Sequence, residues 1–210
     1  MWFSSTIIST PIGDLLAIAN ESHLLLLEFA DSKELEKKVS LIAPWASIHH
    51  NSSACHIEHA RYPAQSKMSP IVDMTDQASH TSASPKENTI LKETQQELSE
   101  YFTGNRETFS VPLLPHGTIF QMKAWKALEQ IPYAETRNYL EEATMIGNPR
   151  AVRAIWGANH ANPIVIIIPC HRVIGKSGKL VGYGWGLERK IWLLEHEKTY
   201  SHKTSSLYQN

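Results

Sequence analysis

Cysteine is scarce in this chain: Cys55 and Cys170 are the only two in 210 residues. Two thiols make no disulfide framework, so the expected setting is a reducing cytoplasm in which Cys170 stays free. Long apolar runs are missing too. None approaches the ~18 residues that a membrane span needs, and the start, "MWFSSTIISTPIG", lacks the basic flank and extended apolar core of a secretory leader. No membrane partner is expected. Net charge is almost absent, at −1, which argues against a polyanionic partner until the chain is divided. Residues 1–116 carry 8 Lys and Arg against 14 Asp and Glu, a net −6, whereas residues 117–198 carry 11 against 7, a net +4, and contain no aspartate. That asymmetry suits a polyanion docking on one half only, although solvated lysines alone can produce it.

What is present has an ordinary globular composition, 42% apolar and 20% charged, enough for one large or two modest domains. Strand-like runs at residues 7–8, 15–19 and 24–29 are separated by Pro11-Ile12-Gly13-Asp14 and Asn20-Glu21-Ser22, which predicts a β-meander. A short polar helix is expected over 32–41. Residues 44–88 have no hydrophobic period and read as a low-order insertion. Cys55, His56 and His59 fall there without further ligands at short spacing, so no metal site is expected. From Thr89, the positions Leu91, Thr94, Leu98 and Tyr101/Phe102 keep helical spacing until Gly104-Asn105. A second apolar face, Phe120, Ala124, Ala127/Leu128 and Ile131, ends at Pro132. The expected division is 1–112, 113–200 and a flexible tail at 201–210.

Residues 139–159, "YLEEATMIGNPRAVRAIWGAN", contain two amphipathic segments around Gly147-Asn148-Pro149. Glycine suits the end of one helix, Asn the cap and Pro the first turn of the next, which together predict a helix-turn-helix. Arg150 and Arg153 flank the small residues Ala151, Ala154 and Gly157. Such a face can approach a groove or a phosphate backbone closely; ordinary packing through the alanines is the alternative.

Residues 164–175, "IVIIIPCHRVIG", drive a β-branched run straight into Pro-Cys-His-Arg. The run predicts a short strand buried on both faces and ended by Pro169. Cys170 then sits where a rigid interior element meets a turn, with His171 beside it. The bland alternative is a small core hydrophobe next to an incidental histidine. Farther on, "GLERKIWLLEHEK" predicts a helix with Leu187, Ile191 and Leu194 on one stripe and Glu197 projecting from the apolar side. A carboxylate there must find a partner, and His171 is the candidate; fraying into solvent is the competing outcome. A thiol, a base and an orienting acid would make a nucleophile of Cys170.

With these residues in place, "PCHRVIG", "AVRAIWGANHANP" and "GKLVGYGWGLERKIWLLEHE" together resemble the O6-alkylguanine-DNA alkyltransferases, across roughly residues 115–197 and more loosely toward the start. The resemblance implies an α/β protein: a small N-terminal ribonuclease-H-like domain with an antiparallel sheet, then a mostly helical domain with a helix-turn-helix. It implies direct-reversal repair of double-stranded DNA, by one-time transfer of the alkyl group from guanine O6, or thymine O4, to Cys170. By motif, His171 is the water-mediated base, Glu197 orients it, and Asn162 ties the active-site turn. Arg153 enters the base stack, while Arg150, Ala151, Ala154 and Gly157 meet the DNA. Tyr139 donates toward the leaving purine; backbone groups of Cys170, Val173 and Gly184 read the base, and Tyr183 and Trp185 line the pocket. No cofactor or metal is implied, and a monomer is expected. Departures are Ala134, Trp156 and Trp185, where the family has Gly, a small residue and often Gly. Trp156 could clash with the groove, wedge into it or turn inward. Two rivals stay open: a lesion sensor of the alkyltransferase-like type that binds without repairing, and a cysteine hydrolase using Cys170, His171 and Glu197.

Overall fold

The computed structural model describes residues 3–43, 47–51, 54–58, 88–180 and 182–207. Strands β1 (Ser4–Ile8), β2 (Leu15–Ala19) and β3 (Leu24–Phe29) form the expected antiparallel meander, ordered β1-β2-β3. Asn20 Oδ1 accepts from the Ser22 and His23 amides and so builds the second turn. Both faces of the sheet are covered, and alternate residues sort into two cores. Leu15, Ala17, Leu27 and Phe29 join the main core, whereas Leu16, Ile18 and Leu26 pack with Leu35 and Val39 of α1 (Leu35–Ile42). The helix starts at Leu35, three residues later than the spacing predicted.

The expected low-order insertion is partly structured. β4 (Ser47–Asn51) and β5 (Ala54–Glu58) form an antiparallel hairpin, which backbone bonds can hold without the side-chain alternation that a sequence pattern requires. Cys55 and His56 lie on β5; His59 and the rest of that stretch lie outside the described residues. Helix α2 (Thr89–Phe102) is capped by Asn88, whose side chain accepts from the Leu91 amide. Helix α3 (Ile119–Leu128) starts in a Thr118–Gln121 capping box. The remainder is mostly helical: α4 (Tyr139–Met145), α5 (Val152–His160) and α6 (Leu187–Leu207), with two-residue strands β6 (Arg137–Asn138) and β7 (Val173–Ile174) paired in parallel. Among the described residues no helix is long and apolar enough to cross a membrane.

Three local expectations are corrected. The turn between α4 and α5 runs on to Ala151, the N-cap of α5, so Asn148 does not cap that helix and Pro149 lies in the turn; the Ala151 amide bonds back to the Asn148 carbonyl instead. Helix α6 continues to Leu207, past residue 200 where a tail was expected, and Leu187 is exposed. Its buried stripe is Lys190, Leu193, His196 and Glu197, polar at three of four positions.

The predicted strand at 164–168 does not form. The outer edge of β3 is shared by two segments: Leu24 pairs with residues 112–114, and Leu27 with Pro163 and Val165. Only Ile164 finds a place on the ladder. The chain then coils, with Ile166 at φ +72 and the Ile168 amide bonded to the Ile164 carbonyl. The β-branched run serves burial, not pairing. A β-branched residue in the left-handed region is costly and persists only where its surroundings impose it.

Candidate active site

Cys170 opens a short 3-10 turn, Cys170–Arg172, and is buried. Asn162 holds that turn as expected. Its Nδ2 donates to the Ile168 carbonyl at 2.8 Å and to Cys170 Sγ at 3.2 Å, while its Oδ1 accepts from the Ile164 amide. Its own carbonyl accepts from Lys38 Nζ at 2.7 Å, and Lys38 pairs with Glu28 on β3. The sulfur is thus braced from the N-terminal sheet. Burial raises the Glu28 carboxyl, opposed by the Lys38 charge. β7 leaves the turn to pair beside β6, which brings Tyr139 at the start of α4 to Cys170.

Glu197 does not fray; it is fully buried. Its Oε1 lies 2.8 Å from His171 Nε2 and accepts from Tyr101 OH at 2.9 Å. Arg172 donates to both oxygens through Nε and again to Oε1 through Nη2, and the Ala134 amide donates to Oε2 at 3.0 Å. Burial alone would raise this carboxyl, but the His171 and Arg172 contacts hold it well below the usual carboxylate range. An ionised Glu197 only accepts, so His171 carries its proton on Nε2. Nδ1 is left buried with no hydrogen-bond partner among the described residues. Burial keeps the ring neutral, against the pull of Glu197. This is a base oriented by an acid, one residue from a thiol.

The thiol is not ionised at rest. Burial pushes Cys170 up to about 11, against the lowering influence of Asn162, Lys190 and Lys38. Its crevice is narrow, about 10 Å³, which is room for about one water. Tyr139, Asn159, Tyr183, Gly184 and Trp185 line it. Burial, then the Cys170 sulfur, pushes Tyr139 up to about 12 and raises Tyr183 further. Both hydroxyls therefore keep their protons and can donate. Trp185 is fixed by its indole N–H on Glu28 and lines the crevice. The Val173 groups are engaged internally: its amide donates to the Cys170 carbonyl and its carbonyl accepts from Lys190 Nζ at 2.6 Å.

Trp156 neither projects freely nor turns into the core. It is 48% exposed and stacks on His160, one turn later, with centroids 5.7 Å apart. The pair lies over the crevice: a Cβ on Gly184 would come within 2.7 Å of the His160 ring and one on Gly182 within 3.3 Å of the Trp156 indole. Along α5, Ile155, Ala158 and Asn159 face inward, whereas Arg150, Arg153, Ala154 and Gly157 are exposed and Ala151 is half-buried. Packing through the alanines accounts for Ala158 alone. The small-residue face with its two arginines is open.

Several site residues escaped the sequence reading. Arg172 stood in plain view in "PCHR", but nothing marked it as the cation that neutralises Glu197. Tyr101 read only as a helix position. Glu28, an acid inside "LLLLEF", was the clearest available signal for a buried polar strut. Ala134 stands out for another reason: it adopts φ +61 to aim its amide at Glu197. A left-handed alanine costs about 1–2 kcal/mol, and glycine returns roughly 0.4–1 kcal/mol of that to the unfolded chain. Ala134→Gly is therefore expected to stabilise the protein by about 0.5–1 kcal/mol, read as a higher urea midpoint at unchanged slope. A lower midpoint would show that the turn is not strained.

Two family models match: the 6-O-methylguanine DNA methyltransferase DNA binding domain over residues 119–199, and the ribonuclease-like domain of the same family over residues 64–115. A methylated-DNA–protein-cysteine methyltransferase of Methanosarcina barkeri is 40% identical over 192 residues, covering 91% of this chain and 95% of that one. The constitutive enzyme of that name from Bacillus subtilis is 52% identical over 114 residues, covering 54% and 69%. Among solved structures, the O6-methylguanine methyltransferase of Mycobacterium tuberculosis superposes with a TM-score of 0.66 at 35% identity, covering 95% of this chain and 94% of that one. Its complex with DNA gives 0.65 at 36% identity, covering 92% of each.

Proposed function

The chain belongs to the methylated-DNA–protein-cysteine methyltransferase family, and from that premise we propose that Cys170 is the alkyl acceptor, with His171 and Glu197 as its base and orienting acid. The protein carries out direct-reversal repair, moving an alkyl group from DNA to its own cysteine. One observation carries the assignment of residues: His171, next in the chain to the buried Cys170, has an Nδ1 with no hydrogen-bond partner among the described residues while Glu197 holds the other ring nitrogen. The lesion sensor and the hydrolase lose their ground to the family.

The reaction is an in-line displacement at carbon. Cys170 gives its proton through a bridging water to His171 Nδ1, and the sulfur forms a bond to the alkyl carbon as the carbon–O6 bond breaks. The electron pair passes into the purine, which leaves as neutral guanine once it takes up one proton. Tyr139 and the Gly184 amide stabilise the developing negative charge on that leaving base. The product is a thioether, so each molecule acts once. None of these steps calls on a cofactor.

The preferred substrate in this reading is O6-alkylguanine in duplex DNA, with O4-methylthymine second and a crevice too tight for bulky alkyl groups. The protein acts as a monomer in the cytoplasm. Docking uses the exposed face of α5, and the lesion is turned out of the stack past Arg153. Arg153→Ala is expected to slow transfer from an intact duplex about tenfold or more, because extruding a base costs a few kcal/mol. Transfer from a lesion already held outside the helix should change little. Equal loss on both substrates, measured by single-turnover quench, would make Arg153 a plain phosphate contact.

A further inference from the structure

Glu142 is the fully buried carboxylate, among the described residues, that has no cation against it. Glu28 has Lys38, Glu97 has Arg106 and Glu197 has Arg172; Glu142 has an amide. Asn159 Nδ2, from α5, donates to its Oε2 at 2.7 Å. Glu142 Oε1 and Asn159 Oδ1 are both buried and lack any other donor. The elements α3, α4 and α5 also meet in an apolar cluster of Ala124, Ala143, Ile155 and Ala158. An ionised carboxylate in such a place is strongly disfavoured. A proton on Oε1 would satisfy both of these atoms at once, the acid O–H donating to Asn159 Oδ1 in a two-bond acid–amide ring.

The ring stands at the active site. Asn159 forms part of the wall of the Cys170 crevice. The titratable groups that feel Glu142 are Tyr139, one turn earlier on α4, and Cys170. The elements packed against α4 are α3, α5, β6 and β7; their charged or titratable residues are Lys123, Lys126, Arg137, Arg153 and His160, and Asn159 is the one side chain that acts on the carboxyl. Lys190 and Lys38 act on the sulfur rather than on Glu142.

We propose that Glu142, through Asn159, is a positioning residue for alkyl transfer: as a neutral acid it fixes the crevice wall, and on ionising it opens the ring and sets a negative charge that opposes the Cys170 thiolate. The proposal rests on the alkyl-transfer reading above. Burial holds the carboxyl up at about 8, so the loss falls within an accessible alkaline range. The sign for stability is equally defined. Between the unfolded value near 4.5 and the folded one, the unfolded chain releases this proton first, so stability drops as pH rises and the drop levels off above the folded value.

The test is single-turnover transfer from a duplex oligonucleotide carrying one O6-methylguanine, from pH 6 to 9.5, with thermal midpoints recorded in parallel. Glu142→Gln keeps a neutral ring in the same shape; Glu142→Leu removes the partner of Asn159, so its transfer should already be slower than wild type below pH 7. Wild type and the Gln variant should agree below pH 7. At pH 9 the wild type should be slower by about threefold or more, the effect of a half-unit rise in the thiol, and the midpoint advantage of the variant should grow from pH 5 to 8. Superimposed rate profiles would overturn the proposal. Absence of methyl transfer by either protein at every pH would instead overturn the alkyl-transfer reading itself.

Discussion

Cys170→Ala is expected to abolish alkyl transfer while leaving affinity for duplex DNA within about twofold, since phosphate contacts supply most of that affinity. The sulfur is buried and takes no part in the exposed arginine face of α5. The local fold should survive the change. Asn162 Nδ2 loses its sulfur acceptor but keeps the Ile168 carbonyl at 2.8 Å, and losing one small buried group costs about 1 kcal/mol. Fluorescence anisotropy on a methylated duplex and transfer of a labelled methyl group measure the two properties separately. Any stoichiometric transfer by the variant would place the acceptor elsewhere. A large loss of binding would mean that the sulfur organises the DNA surface as well.

Glu197→Gln is the second change with a large expected effect. Its carboxylate accepts from Tyr101, Ala134, His171 and Arg172, and removing the charge strands the Arg172 guanidinium in a buried site. Breaking a buried ion pair from one side costs roughly 3–5 kcal/mol. The chemistry should suffer too, because a glutamine can offer its N–H₂ to His171 and turn the proton to the wrong ring nitrogen. Loss of the orienting acid costs about 10⁴-fold in a comparable triad. The pH dependence has a definite sign. Glu197 is held below its unfolded value, so its stabilisation is complete above about pH 5 and drains away as acid reaches the folded value. The variant should therefore lose less stability than wild type between pH 5 and 3 in urea titrations. An unchanged transfer rate would remove Glu197 from the reaction.

How much of this was legible in the sequence depends on whether a feature is local. The three strands of the meander came from alternation and turn residues, and the Asn20 turn and the Gly104 stop were readable because their chemistry lies within four residues. The pairing of Glu197 with His171 was readable as well: Glu197 projects from an apolar stripe, and such a carboxylate needs a partner. Residues 164–168 misled because β-branched content reports burial as readily as pairing. Whether an edge was available depended on β3, more than a hundred residues away. The start of α5 was misplaced because Asn148 offered a cap that the longer turn did not use. Lys38, Tyr101 and Glu142 gave no signal at all, since each acts on a partner brought near only by the tertiary fold. Ala134 and Trp156 were visible as departures, but their meaning came from geometry: a strained amide aimed at Glu197, and an indole stacked on His160 at the crevice.

The most direct test is the intact mass of the protein after reaction with an excess of duplex carrying O6-methylguanine. A single methyl group should replace the thiol hydrogen, reach one equivalent per chain and stop there. Peptide mapping should find it on Cys170, with guanine restored in the DNA. An unchanged mass under conditions where the damaged duplex is bound, or a methyl group on any residue other than Cys170, would contradict the account.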